Sequence, residues 1–165
     1  MATKKVTVSC CNHFKLLLDP KQRGVLIDDC LKSLYPHRDK FDAIAVSGYS
    51  MSLIAPVVAD TMNKGLIIVR KEKESRASQY QAEGLVCDKY IIIDDLICGG
   101  DTLNRVQQSI AFWHHSPAKL YGVYLYMLGM SSVKSNLAIN EQYGTILLNS
   151  PENIKKQLAA QVPTR

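Results

Sequence analysis

The stretch Tyr90-Ile91-Ile92-Ile93-Asp94-Asp95-Leu96-Ile97-Cys98-Gly99-Gly100-Asp101-Thr102-Leu103 decides how this chain is read. Successive β-branched isoleucines follow a tyrosine, and an unbroken apolar run of this kind suits a strand covered on both faces of a parallel sheet. Two carboxylates leave that strand, glycines turn the chain, and Asp101-Thr102 enters a segment with Leu103, Val106, Ile110 and Phe112 or Trp113 at helical spacing. Strand, glycine turn and helix in this order aim backbone N–H groups and a helix dipole at one point. That makes a phosphate site which glycine lets the ligand approach closely. Carboxylates just before it would repel a bare phosphate, so Asp94 and Asp95 are expected to hold sugar hydroxyls or a magnesium ion.

The same alternation continues on both sides. Ala43 to Val46 and Leu66 to Val69 read as strands, and Leu53, Ile54, Val57, Val58 and Met62 mark a helix between them. Lys64-Gly65 is its expected stop, with Gly65 in the left-handed C-cap position, and Pro56 kinks the helix or sits near its first turn. An earlier helix carries Leu26, Ile27, Cys30, Leu31 and Leu34 and ends at Tyr35-Pro36. Leu120 to Leu128 and Thr145 to Leu148 predict two further strands. Ser150-Pro151 then opens a last helix, with serine as N-cap and proline at the first helical position. Strands alternating with helices mean βαβ units. The fold class is α/β, an open, mainly parallel twisted sheet flanked by helices, with ligands outside the C-terminal ends of the strands.

Length and composition agree. A chain of 165 residues is expected to form a single domain over residues 1–165, and 47% hydrophobic with 21% charged residues excludes disordered and fibrous classes. No apolar run approaches the roughly 18 residues of a membrane span. The segment after Met1-Ala2-Thr3-Lys4-Lys5 is too polar for a signal peptide, so a cytoplasmic protein with no membrane partner is expected. Five cysteines without a C-x-x-C pair fit a reducing compartment; Cys10, Cys11, His13 and Cys30 are read as ordinary residues rather than a zinc site, because adjacent cysteines chelate poorly. Neither G-x-x-x-x-G-K-[ST] nor a G-x-G-x-x-G after a strand is present. Paired aspartates also follow a strand in receiver domains, but those need no glycine-rich phosphate turn.

The Tyr90 to Leu103 string resembles the phosphoribosyl pyrophosphate signature of type I phosphoribosyltransferases: four apolar residues, two acids, two apolar residues, a small phosphate loop, then threonine. The order of parts continues to match from about Phe41 to Leu128 and fades at both ends. The resemblance implies that family's fold, with a small hood from the chain ends. It also implies an enzyme that moves phosphoribose from phosphoribosyl pyrophosphate to a nucleobase-type acceptor and releases pyrophosphate, in nucleotide salvage or synthesis. Mg2+ as cofactor and a homodimer are implied too.

Under the resemblance, Asp94 and Asp95 bind the ribose hydroxyls and the metal, directly or through water. Cys98, Gly99, Gly100, Asp101 and Thr102 hold the 5′-phosphate, and Ser47-Gly48-Tyr49-Ser50 forms the pyrophosphate loop. Arg70 is a substrate-binding residue at the start of a mobile loop, in which Lys71 and Lys73 join the acid pair in catalysis. Substitution at the anomeric carbon passes through a cation-like transition state, so anions beside the sugar and cations beside the leaving group suit it. The sequence departs from the family at several points. Cys98 stands where purine-salvage members often carry an aspartate, Gly99 replaces a hydroxyl residue, and Asp101 puts a negative charge at the helix start. Glu74 occupies about the place of a lysine in orotate enzymes, and no His-Gly follows.

Hood candidates are Val6 to Phe14 and Met127 to Tyr143, with Tyr143 the aromatic proposed to stack on a base. Simpler roles are weighed beside these: Asp94-Asp95 as a helix N-cap pair, His114-His115 as cations at a helix end, and Tyr121, Tyr124 and Tyr126 as strand packing. The alternative function is a non-catalytic, phosphoribosyl pyrophosphate-sensing regulatory module that binds nucleic acid. Charge placement argues against it: Lys64, Arg70, Lys71, Lys73 and Arg76 face only Glu72 and Glu74 across 64–76, so much of the net +5 lies where a pyrophosphate would arrive. Nucleic acid is therefore not an expected partner.

Overall fold

A computed structural model of the chain describes residues 12–71, 80–97, 100–113, 118–127 and 146–159. The apolar runs form strands: β1 (Ala43–Ser47), β2 (Gly65–Val69), β3 (Ala82–Gly84), β4 (Lys89–Asp94), β5 (Lys119–Leu125) and β6 (Ile146–Leu147). Among the described residues they make a six-stranded sheet in the order β3-β2-β1-β4-β5-β6. All pairings are parallel except the edge pair of β2 with β3. The helices are α1 (Asn12–Leu18), α2 (Pro20–Leu34), α3 (Tyr49–Ser52), α4 (Ala55–Met62), α5 (Asp101–Trp113) and α6 (Pro151–Ala159), with a 3-10 turn over Tyr35–Lys40.

Side-chain alternation along the strands divides the core between the two faces of the sheet. Ile44, Val46, Ile91, Ile93 and Tyr124 pack with Leu17, Leu34, Met51, Ile54 and Val58 from the first four helices. Ala43, Ala45, Tyr90, Ile92, Val123 and Leu125 pack with Leu103, Val106 and Ile110 of α5. Each isoleucine buried in β4 is worth about 1.5–3 kcal/mol of apolar burial. The tyrosine expectation holds: Tyr124 and Tyr126 are buried in the first cluster, and Tyr121 packs against it with its hydroxyl 3.0 Å from His37 Nδ1.

Local chemistry sets the helix ends. The Asp19 carboxylate accepts from Gln22 N–H at 2.9 Å and Pro20 occupies the first turn of α2. Ser150 caps α6 as expected, its Oγ accepting from Asn153 N–H at 3.1 Å. Pro56 lies in the first turn of α4, which starts at Ala55 because a separate short helix, α3, takes up the preceding turn. The left-handed cap of α4 is Asn63, at φ 53°, and not Gly65. Gly65 instead begins β2, where a Cβ would collide with the Leu85 side chain. Strand β3 and helix α1 were not anticipated. Thr145, His114-His115 and Tyr143 lie outside the described residues, and among those described no helix is long and apolar enough to cross a membrane.

The strand order locates the ligand crevice. The chain passes from β1 to β2 on one side of the sheet and from β4 to β5 on the other, so the order reverses between β1 and β4. Open α/β sheets take ligands at the C-terminal ends of such a pair. Ala45 pairs with Ile92 across it, and two residues further along both strands are Ser47 and Asp94.

Candidate active site

The two turns at this switch point close on one cavity of about 330 Å³. From the β1 side it is lined by Ser47, Gly48, Tyr49 and Ser50, and from β4 and α5 by Asp94, Asp95, Thr102 and Arg105. Lys71, just beyond β2, and Phe14 of α1 complete it. A second cavity, about 220 Å³, runs along the turn into α5 and shares Asp94, Asp95 and Thr102 with Gly100 and Asp101. The expected site residues Ser47 to Ser50, Lys71, Asp94, Asp95, Gly100, Asp101 and Thr102 thus come together from three strand ends. Lys73, Cys98 and Gly99 lie outside the described residues.

Each side of the cavity has its own local cause. Gly48 sits at φ 86°, a conformation that strains any residue with a Cβ, and it turns the chain from β1 directly into α3. A Cβ there would stand 3.5 Å from Lys71 Cε, an ordinary contact distance, so the lysine stem passes directly over the turn and it is the backbone conformation that calls for glycine. At the end of β4, Asp94 Oδ1 accepts from Asp95 N–H at 2.9 Å and Asp95 Oδ1 from Leu96 N–H at 2.7 Å. The carboxylates fold back on the turn that follows them. The turn itself is anchored to β5, with Tyr126 N–H donating to Asp94 O at 3.2 Å and Met127 N–H to Asp95 O at 2.8 Å. Gly100, at φ 84°, then leads into α5, whose first-turn N–H groups face the smaller cavity.

Electrostatics set the acid pair apart. Burial pushes the Asp94 carboxyl up to about 7, and the Asp95 charge beside it adds to the rise; the Asp95 N–H and Arg105 pull the other way without cancelling it. Near neutrality the Asp94 carboxyl is therefore only partly ionised, and an arriving cation would favour its charged form. Among the described residues no third histidine, cysteine or acid joins the pair to make a metal cage. Two carboxylates without further protein ligands suit Mg2+, which binds through one or two carboxylates plus substrate phosphates. The residues present fit that ion and would hold it through Asp94 and Asp95.

Arg70 does not line this cavity. Its guanidinium makes a two-point pair with Glu83, at 2.9 and 2.7 Å, and donates to Tyr80 O at 3.3 Å, which ties it to the β2–β3 hairpin. The sequence reading missed Arg105, whose Nη2 donates to Ser47 Oγ at 3.1 Å across the cavity. Its Nε is buried with no hydrogen-bond partner among the described residues. The signal was its spacing, three residues after Thr102 and so on the same helix face. Of the hood candidates, Phe14 reaches the cavity while Met127 is buried in the core.

No protein-family model matches the chain. An orotate phosphoribosyltransferase of Cytophaga hutchinsonii is 28% identical over 103 residues, 59% of this chain and 48% of that protein. The chain thus spans about half the length of the curated relative it matches. Among solved structures, the orotate phosphoribosyltransferase of Aeropyrum pernix superposes with a TM-score of 0.63 at 17% identity, over 88% of this chain and 80% of that one. That of Francisella tularensis gives 0.61 at 17% identity, over 90% and 76%. The adenine phosphoribosyltransferase of Saccharomyces cerevisiae gives 0.59 at 18% identity, over 80% of each chain. The chain has the type I phosphoribosyltransferase fold, and over 103 residues it resembles an orotate member of that family in sequence.

Proposed function

We propose that this chain is a Mg2+-dependent phosphoribosyltransferase that moves phosphoribose from phosphoribosyl pyrophosphate to a nucleobase-type acceptor, in nucleotide salvage or synthesis. The observation that carries the reading is the convergence of Asp94, Asp95 and Thr102 with Ser47 to Ser50 and Lys71 in one cavity at the β1/β4 switch point. In the reaction the bond from the anomeric carbon to the pyrophosphate oxygen breaks, a bond from that carbon to a ring nitrogen forms, and the acceptor loses the proton on that nitrogen.

The roles follow from position. The α5 N-terminus with Thr102 holds the 5′-phosphate, and Asp94 and Asp95 take the ribose hydroxyls and stand beside the cationic sugar. The N–H groups of the Ser47 to Ser50 turn and the Lys71 ammonium receive the leaving pyrophosphate. A bound Mg2+ supplies further positive charge to that leaving group. Phe14 offers a ring face to the acceptor and Arg105 a cation, which favours an acceptor bearing a carboxylate. The Cytophaga relative, by its name, acts on orotate, and orotate is such an acceptor.

We propose further that these residues fold as a single domain, on their length, in a cytoplasmic setting, on the cysteine usage. Homodimerisation rests on the resemblance alone. The test is pyrophosphate release with phosphoribosyl pyrophosphate, Mg2+ and a panel of orotate, adenine, hypoxanthine, guanine and uracil. Turnover is expected with orotate first. Release with none of them would refute the enzyme reading.

A further inference from the structure

Helix α5 carries two stripes. Leu103, Val106 and Ile110 are buried against the sheet and account for its place in the core. A second stripe, Arg105, Gln108, Ser109, Phe112 and Trp113, follows the i, i+3, i+4, i+7, i+8 spacing of one helix face beside it; Ser109 is buried and Trp113 packs partly against the core, while Gln108 and Phe112 face solvent. It lines a groove of about 460 Å³, larger than either active-site cavity, whose opposite wall is Tyr80 and Gln81 at the start of the β2–β3 edge. The groove and the active-site cavity share one side chain, Arg105.

The lining is chemically mixed in a particular way. Tyr80 is 45% exposed and Phe112 84% exposed, so large aromatic faces meet water here although neither is required by the core. The same lining carries the amides of Gln81 and Gln108 and the Ser109 hydroxyl, and Ser109 Oγ donates to Gln81 Oε1 at 3.1 Å, which orients that amide. Aromatic faces beside oriented amide groups suit a planar heterocycle, which stacks on the first and is read along its edge by the second. No acid lines the groove among the described residues, and Arg105 places a cation at the end nearest the active site.

From this we infer that the α5 groove is a second binding site for a nucleobase ring, separate from the catalytic cavity and coupled to it through Arg105. A ring seated against Phe112 and Trp113 has the Arg105 guanidinium within the same groove. Any pull on that guanidinium loosens its bond to Ser47 at the β1 turn. The unpartnered Nε makes the present Arg105 arrangement one that a ligand can improve. Occupancy of the groove would therefore change how the catalytic cavity binds its acceptor, with no contact to the reacting atoms.

Trp113 is the only tryptophan in the chain, so its fluorescence reports on this groove. The experiment titrates the ligand-free protein with uridine and with adenosine, which carry a base but no phosphate for the phosphate turn to hold. A saturable change is expected with at least one. It should weaken by about tenfold in Phe112→Ala and in Gln108→Leu, both at exposed positions, as loss of a stacking face or of edge contacts predicts. The Asp94→Asn, Asp95→Asn double variant should bind as the parent does, which separates this site from the catalytic reading: the groove can hold even if no phosphoribosyl transfer is found. Three results would overturn the inference. One is no saturable change with either nucleoside, and another is unaltered affinity in both groove variants. The third is a change that tracks protein concentration alone, with sedimentation showing a second copy of the chain over the groove.

Discussion

Asp94-Asp95 leaves β4 and Arg70-Lys71 leaves β2, two parallel strands on either side of β1, and the two like-charged pairs meet opposite fates. Both carboxylates line the cavity, whereas of the two cations only Lys71 does. The backbone explains the difference. Beyond β2 the chain stays extended, with Arg70 N–H still paired to Gln81 O at 2.8 Å, so neighbouring side chains point to opposite faces. Arg70 goes to Glu83 on the hairpin and Lys71 goes over Gly48. Beyond β4 the chain bends at once, each aspartate bonding the next residue's N–H, and the alternation is broken. Adjacent charges act together only where the strand has ended.

The largest effect that comparison predicts is on the acid pair. Asp94→Asn with Asp95→Asn should lower kcat/KM for pyrophosphate release by about 10³-fold or more, with circular dichroism and the melting transition showing an intact fold. An unaffected rate would remove the pair from the reaction. Next comes Lys71→Ala, which takes away the one cation among the described residues that lies over the Gly48 turn, where the proposed reaction puts the pyrophosphate. A loss of about 10–100-fold is expected, mostly in kcat if the ammonium meets charge that grows on the leaving group. A rise in KM at constant kcat would instead make Lys71 a ground-state contact.

A smaller effect separates Asp94 from its surroundings by pH. Its folded carboxyl titrates near 7 because burial and Asp95 disfavour the charge, against 3.8 for an ordinary aspartate. Below about 4 both folded and unfolded chains keep the proton, and the residue costs nothing. Between 4 and 7 the unfolded chain ionises first, so stability falls as pH rises, and above 7 the cost is complete. Asp94→Asn keeps the acceptor for Asp95 N–H and removes the charge. In ligand-free protein it should match the parent at pH 4 and exceed it by up to about 4 kcal/mol at pH 8, read by denaturant unfolding. Equal differences at both pH values would show that Asp94 is not held against ionisation. Saturating Mg2+ with pyrophosphate should reduce the gain at pH 8, since the bound cation favours the carboxylate.

How much of this was visible in the sequence depends on where the chemistry resides. The strands β1, β2, β4 and β5 stand out as apolar runs, and the turn after β4 announces itself because its function is written in side chains. The turn after β1 is weak in sequence because its contribution is backbone N–H geometry around one glycine, and Ser-Gly-Tyr-Ser alone is commonplace. Strand β3, Ala82-Glu83-Gly84, has too little apolar character to show; it exists because Arg70 and β2 pair with it. Arg105 reads as one more solvated cation inside a helix until α5 is docked and its first turn is seen to face Ser47. Asn149 is similar. Its amide accepts from Leu125 N–H at 3.0 Å and donates to Leu125 O at 2.7 Å, continuing the sheet past β6 and bracing the segment that holds Asp94 and Asp95. Nothing in the residue type foretells that.

The smallest expected effect tests the comparison most directly. If alternation alone keeps Arg70 out of the cavity, Arg70→Ala should leave kcat/KM within about twofold of the parent, because only the hairpin loses a partner. It should also lower the melting temperature slightly at low salt and less at high salt, since the pair with Glu83 is partly exposed and screened. Glu83→Gln should leave turnover equally unchanged, and the double variant should lose less stability than the two single changes summed, as expected when two residues share a contact. Loss of turnover in Arg70→Ala but not in Glu83→Gln would mean that Arg70 leaves Glu83 when substrate binds. In that case the basic pair would act together after all, and the contrast with the acid pair would describe only the free protein.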